Sequence, residues 1–157
     1  MSFDWLNPSE RREFLEFLLG RFGIPPERFD GHALFRRGEY INAVAEGAAS
    51  ASEDFDCLDG GVQVAKLTGS GAHKPVTRGV QVFGDAATKN IIDVKYADIK
   101  ALIEGRRVEA PGYQGFVLLR FEGRPIGVGL VREGRLESQF PRSLTEHLVL
   151  FPGADIV

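Results

Sequence analysis

The feature that most constrains the fold is a set of short apolar runs separated by two-residue turns in the last third of the chain. Runs from Tyr113 to Phe121 and from Arg124 to Arg132 flank the turn Glu122-Gly123, and a third run, Leu136 to Phe140, follows Glu133-Gly134. Several short strands at this spacing, each bounded by a glycine turn, are typical of a small β-barrel.

Helical signals stand earlier in the chain. Asn7-Pro8-Ser9-Glu10 offers a side-chain cap, a proline at the first helical position and a glutamate three residues after the cap. An apolar stripe at three- and four-residue spacing follows, so we expect a helix to about Leu19, ended by Gly20 or Gly23. A second helix is expected from Tyr96 to Glu104, with Gly105 as its stop.

Two hairpins are expected in the first half. Residues 32–45 form two apolar runs around a turn at Gly38. Residues 61–67 and 76–83 alternate in hydropathy and read as the paired strands of a second hairpin. The pattern breaks over residues 84–90, and we therefore predict an α+β protein with a small α/β domain over residues 1–88 and a second, barrel-like domain over residues 89–157.

Composition excludes several classes of protein. The chain has 157 residues, of which 43% are apolar and 26% charged, as in soluble globular proteins. No apolar stretch approaches the length of a membrane span, and the first residues lack the pattern of a secretory signal, so we expect a cytoplasmic protein without a membrane partner. Cys57 is the only cysteine and the three histidines are far apart, which argues against a disulfide framework, a metal site or a bound cofactor.

The distribution of charge along the chain is compatible with a polyanionic partner. The net charge of −3 is not that of a strongly basic nucleic-acid binder. From residue 60 to residue 84, however, there is no acidic side chain, while Lys66, His73, Lys74 and Arg78 are present. We expect this segment to attract anions.

Motifs for catalysis and nucleotide binding are weak. The glycine-rich loop of residues 68–75 resembles a phosphate cradle, but His73 stands where a P-loop has glycine and Pro75 where it has serine or threonine. The Gly127-Val128-Gly129 segment lacks a third glycine and a following helix, and reads as a bend in a strand. Cys57 lies among acidic residues that would raise its thiol pKa. We therefore predict a protein that is not an enzyme.

The second half of the chain resembles a known family. Residues 97–112, followed by a strand and by residues 124–130, resemble a PUA domain, in which a short helix ends in glycine, a strand leads to a Pro-Gly turn and a later strand carries a Gly-x-Gly core. Residues 115–120 through 135–142 are also similar to the C-terminal RNA-binding region of RsmF-like and NSUN-like rRNA cytosine methyltransferases. Upstream, residues 61–68 and 76–80 resemble the pre-PUA domain of nip-seven-type ribosome-biogenesis factors.

The resemblance, which extends over about residues 36–142, implies a fold and a partner. It implies a pre-PUA-like α/β domain packed on a PUA-like β pseudo-barrel. The implied partners are RNA, namely rRNA or a pre-ribosomal particle, and other ribosome-assembly proteins. The methyltransferases carry a large S-adenosylmethionine-binding domain with paired catalytic cysteines, for which this chain has no room. The nip-seven type has a lysine-richer loop where Gly69 to Gly71 stand here.

RNA binding needs cations for the phosphates and flat side chains for the bases. The best-matching positions in the second domain are Arg106, Arg107, Tyr113, Arg132, Arg135 and Arg142. Lys66, Lys74 and Arg78 extend the expected track into the first domain. The hypothesis requires the fold to gather these cations into one positively charged cleft.

Two other functions stay open at this stage. One is a protein-interaction adaptor that kept the barrel but lost RNA binding, which the net acidity and the glycine-rich loop favour. The other is a small enzyme acting on a nucleotide or RNA, with His73 and Lys74 in its site.

Overall fold

The computed structural model of the protein describes residues 3–55 and 61–141, without the side chains of residues 51–55. The helices of this part are α1 (Pro8–Phe22), α2 (Glu46–Phe55), α3 (Thr77–Phe83) and α4 (Tyr96–Ile103), with short 3-10 helices at Pro26–Phe29 and Gly84–Ala86. The strands are β1 (Asp4–Trp5), β2 (His32–Arg37), β3 (Tyr40–Ala45), β4 (Val62–Leu67), β5 (His73–Pro75), β6 (Ile91–Asp93), β7 (Val108–Glu109), β8 (Gly115–Phe121), β9 (Arg124–Arg132) and β10 (Arg135–Ser138). The α+β fold class is confirmed.

Helix α1 begins and ends with the expected caps. Asn7 accepts a hydrogen bond from the backbone N–H of Glu10 at 2.8 Å, and the Glu10 carboxylate accepts one from the N–H of Asn7 at 3.1 Å. The helix extends to Phe22, three residues beyond the predicted end, because the left-handed cap is Gly23 (φ 68°) rather than Gly20. Phe14, on its inner face, is fully buried.

The first sheet has strand order β1-β2-β3-β4-β5, with all neighbours antiparallel. The hairpin predicted over residues 32–45 is confirmed as β2 and β3, and Gly38 at its turn has a φ of 60°. The second hairpin was predicted with the wrong partner strand, since β4 pairs with the three residues of β5, which lie in the expected glycine-rich loop.

The expectation of a strand over residues 76–83 is wrong, because this segment forms helix α3. Its residues fit the hydropathy period of a strand and that of a helix. Val80 and Val82 alternate as in a strand, while Thr77, Val80 and Phe83 are spaced for one face of a helix. The helical face is the buried one, whereas Val82 is 41% exposed. Gly79 permits the close approach, since a Cβ built there would lie 2.6 Å from the Val64 Cα of β4.

The second sheet has strand order β6-β8-β9-β10-β7, in which β6 runs parallel to β8 and the other pairs are antiparallel. The two predicted glycine turns are confirmed. Glu122-Gly123 and Glu133-Gly134 both have positive φ at their two residues, from 49° to 79°, as type I′ turns require.

Two glycines of β9 serve packing. A Cβ on Gly129 would lie 2.4 Å from Cδ1 of the fully buried Leu136, and one on Gly127 would lie 2.3 Å from the Phe140 ring. Gly127-Val128-Gly129 is therefore a strand segment that admits large neighbours.

One buried cluster joins the two sheets. It contains Phe14 and Phe22 of α1 and Val64 of β4 together with Leu118 of β8 and Val128 of β9. The change from the first sheet to the second falls between the end of β5 and the start of β6, an interval that includes the predicted domain boundary at residue 88. The boundary stays a prediction.

Some sequence features lie outside the described residues. These are Cys57, Arg142, His147 and the apolar segment 148–151. Within the described ranges, no helix is both long enough and apolar enough to cross a membrane.

Candidate nucleic-acid interface

Four of the arginines expected to contact RNA lie around the β7–β10 edge of the second sheet. Arg135 stands opposite Arg132 in the β9–β10 hairpin and opposite Glu109 in the β10–β7 pair. Arg106 and Arg107 directly precede β7. The fold thus brings together side chains that are distant in sequence.

Carboxylates accompany these arginines. Three of the four lie within 4 Å of a glutamate, in the pairs Arg106–Glu104 (2.6 Å), Arg107–Glu137 (3.7 Å) and Arg135–Glu109 (3.9 Å). With Glu133 in the hairpin turn, four glutamates accompany the four arginines, and the formal charges of these eight residues sum to zero. Opposite charges this close cancel well within a Debye length, and the edge therefore presents little net positive field.

The cations predicted in the first half are dispersed. Lys66 lies 3.3 Å from the Glu39 carboxylate and 5.8 Å from the Tyr40 ring centroid. Arg78 is on the exposed face of α3, whereas the sequence analysis predicted that it lies on a strand. Lys74 lies 5.7 Å from the ring centroid of Phe116, in the second sheet.

Tyr113, which the sequence predicts to stack on a base, lies two residues before β8. The residue is 37% exposed, and its hydroxyl donates a hydrogen bond to the carbonyl of Ile91 at 3.2 Å. The bond fixes this partly exposed tyrosine at the side of the sheet where β6 begins.

A structural cation that sequence reasoning missed joins helix α1 to the second sheet. Nε of Arg21, near the end of α1, donates to the carbonyl of Phe116 at 2.9 Å, and Nη2 contacts the carbonyl of Gln114. The Asn90 side chain in turn donates to the Arg21 carbonyl at 2.6 Å. Burial lowers the pKa of Arg21. No local signal marks this role, because the partners lie 95 residues apart.

His73 lies in an aromatic cluster. Its ring stacks on Phe17 with centroids 5.2 Å apart and is 5.6 Å from the Phe14 centroid. Burial lowers the pKa of His73, and the charge of Glu13 opposes that shift. Burial thus favours the neutral imidazole, whose ring packs against phenylalanines of α1.

Metal-binding chemistry has no evident centre in the described ranges. Across residues 3–55 and 61–141, no three histidine, cysteine, aspartate or glutamate side chains gather as a metal site would require. Lys74, the other residue of the small-enzyme hypothesis, lies near the Phe116 ring. The geometry gives that hypothesis no further support.

Comparison with known proteins finds a family model that matches the second sheet. Residues 89–145 match the family model described as the methyltransferase RsmF PUA domain. The chain is also 28% identical over 97 residues to ribosomal RNA small subunit methyltransferase F of Psychromonas ingrahamii, a match that covers 58% of this chain and 20% of that protein. The chain thus spans about a fifth of the length of this relative. Strands β6 to β10 all lie within the matched range, and residues 89–145 are therefore a PUA-domain region that resembles the PUA domain of methyltransferase RsmF.

Proposed function

We propose that this protein binds RNA through its PUA region and acts in rRNA modification or ribosome assembly without catalysing a reaction itself. The observation that carries the proposal is the match of residues 89–145 to the RsmF PUA domain. The similar protein from Psychromonas ingrahamii is named as a small-subunit rRNA methyltransferase, which makes small-subunit rRNA the first ligand to test.

Binding to purified RNA tests the proposal. The full chain is titrated against labelled fragments of small-subunit rRNA by fluorescence anisotropy at several salt concentrations. Because each neutralised phosphate of a single strand contributes about −0.7 to the slope of log K against log salt, two to four contacts predict a slope of roughly −1.4 to −2.8. An absence of binding, or a weak response that salt does not change, would contradict it.

A protein-interaction adaptor is the second candidate function. The pairing of Arg106, Arg107 and Arg135 with glutamates favours it, because a surface with balanced charge attracts phosphates poorly. The same titration separates the two candidates, since an adaptor would give only weak, salt-insensitive binding to every RNA fragment.

The non-catalytic part of the proposal has its own test. Incubation of the full chain with small-subunit rRNA and radiolabelled S-adenosylmethionine should transfer no label to the RNA. Transfer of label above a no-protein control would show that the chain is a methyltransferase.

A further inference from the structure

The end of α1, strand β5 and the start of β8 meet at one surface, where the two sheets join. Arg21 holds the Phe116 carbonyl at 2.9 Å, and Nζ of Lys74 lies 5.7 Å from the centroid of the Phe116 ring. His73, next to Lys74, stacks on Phe17 of α1. Side chains from both sheets therefore share this surface.

The segment before β6 extends the same surface. Asn90 donates to the Arg21 carbonyl at 2.6 Å, and Tyr113 donates to the Ile91 carbonyl at 3.2 Å. Lys89 passes beside the end of α1, where its Cγ would lie 3.4 Å from a Cβ built on Gly23. We name this surface the junction face; its side chains are Phe17, His73, Lys74, Lys89, Tyr113 and Phe116.

The junction face carries two lysines without an ion pair in the described part of the chain. Among the ion pairs of residues 3–55 and 61–141, none involves Lys74 or Lys89. The loop that leads into β5 contains no acidic residue, while Glu13 of α1 lies close enough for its charge to act on His73. Uncompensated lysines attract phosphate groups more strongly than the paired arginines of the β7–β10 edge.

The junction face also carries flat apolar groups. Tyr113 is 37% exposed with its orientation fixed by a hydrogen bond, while Phe17, His73 and Phe116 are half-buried. A base can stack on such rings only when it is unpaired, because a duplex keeps its bases stacked on one another. Resting on the RNA-binding function proposed above, we infer that the junction face, rather than the β7–β10 edge, binds RNA, and that its ligand is a segment of unpaired nucleotides.

The lysines are tested through the salt dependence of binding. Lys74→Gln and Lys89→Gln should each weaken binding of a single-stranded segment of small-subunit rRNA and each reduce the steepness of the salt slope by about 0.7. Lys74→Arg should retain both the affinity and the salt slope of the unmodified chain, because it keeps the charge. Circular dichroism and thermal unfolding confirm that each variant is folded.

The tyrosine is tested through stacking. Tyr113→Ala should weaken binding about 5- to 150-fold, the loss expected when one base–aromatic stack is removed. Tyr113→Phe should retain the affinity, because it keeps the ring and loses only the hydroxyl. A duplex of the same sequence should bind more weakly than the single strand.

Matched variants on the other surface complete the experiment. Arg107→Gln and Arg135→Gln, each removing one exposed cation from the β7–β10 edge, should leave the affinity unchanged within about twofold, since both charges are already compensated. Loss of binding in these variants with no loss in the junction-face variants would overturn the inference and leave the proposed function intact. Preference for the duplex would overturn it as well. Failure of the unmodified chain to bind any fragment would instead refute the proposed function.

Discussion

At the residue scale, Gly79 is the position at which a single methyl group determines how closely α3 approaches β4. A Cβ on this residue would lie 2.6 Å from the Val64 Cα and 3.0 Å from the Val64 carbonyl oxygen. Both are backbone atoms, which cannot turn aside as a flexible side chain would. We expect Gly79→Ala to lower the free energy of unfolding by about 1–3 kcal/mol, the usual cost of overpacking, as measured by urea denaturation.

Gly20 supplies the control for this prediction. It lies within α1, and a Cβ built there would meet no atom within 4 Å. Gly20→Ala should therefore raise the free energy of unfolding by about 0.5–1 kcal/mol, since alanine favours the helix more than glycine does. Equal effects of the two substitutions would show that helix propensity, not contact with β4, governs both sites.

The burial of His73 predicts how stability depends on pH. Its pKa in the folded protein lies below the ordinary value of 6.5, so below pH 6.5 the unfolded chain takes up a proton more readily than the folded one. The free energy of unfolding should decline as pH falls through about 6.5 toward the folded pKa, and His73 should contribute nothing at higher pH. His73→Phe, which keeps a ring beside Phe17, should flatten this decline in denaturation series from pH 5 to 8. An unchanged decline would contradict the assignment.

At the element scale, α1 depends on its N-terminal capping box. The reciprocal hydrogen bonds of Asn7 and Glu10, at 2.8 and 3.1 Å, satisfy backbone donors that the helix leaves open. Asn7→Ala should lower the free energy of unfolding by about 1 kcal/mol, and Asn7→Ser, which retains a capping oxygen, by much less. Chemical denaturation of the three proteins measures both effects, and a serine variant as unstable as the alanine variant would argue against capping.

Elements with strong local signals were predicted well, and α3 shows where such signals fail. The α1 cap, the β2–β3 hairpin and the two Glu-Gly turns each depend on residues close together in the chain. Residues 76–83 are too few for their hydropathy period to separate a helix from a strand. Tertiary contacts on two sides favour the helix. Gly79 packs against Val64 of β4, and the Gln81 side chain lies 3.0 Å from the Ile126 carbonyl.

At the scale of the whole molecule, the cluster shared by the two sheets predicts that they unfold together. Val128 of β9 is fully buried in a cluster that also contains Phe22 and Val64. Val128→Ala should cost about 2 kcal/mol and reduce the protection of slowly exchanging amides in the first sheet as much as in the second. Native-state hydrogen exchange makes the comparison. Loss of protection confined to residues 89–141 would instead support two independently folding domains divided at residue 88.

The candidate site was only partly accessible to sequence reasoning. Tyr113 and Lys74 were identified from residue type and position, and the structure places both near the junction of the sheets. Arg106, Arg107 and Arg135 were identified in the same way, but their glutamate partners were not. A positive residue in a sequence carries no information about which carboxylate the fold will place beside it.

Local chemistry along the chain was enough to place the helix caps, the tight turns and most of the strands, because backbone hydrogen bonding and hydrophobic period act over a few residues. The tertiary structure alone made α3 a helix and joined Arg21 to Phe116 across 95 residues. It also paired Arg106, Arg107 and Arg135 with glutamates, while Lys74 and Lys89 form no ion pair with any residue of the described ranges. These outcomes depend on packing and Coulomb interactions between groups that only the folded chain brings within a few ångströms of each other.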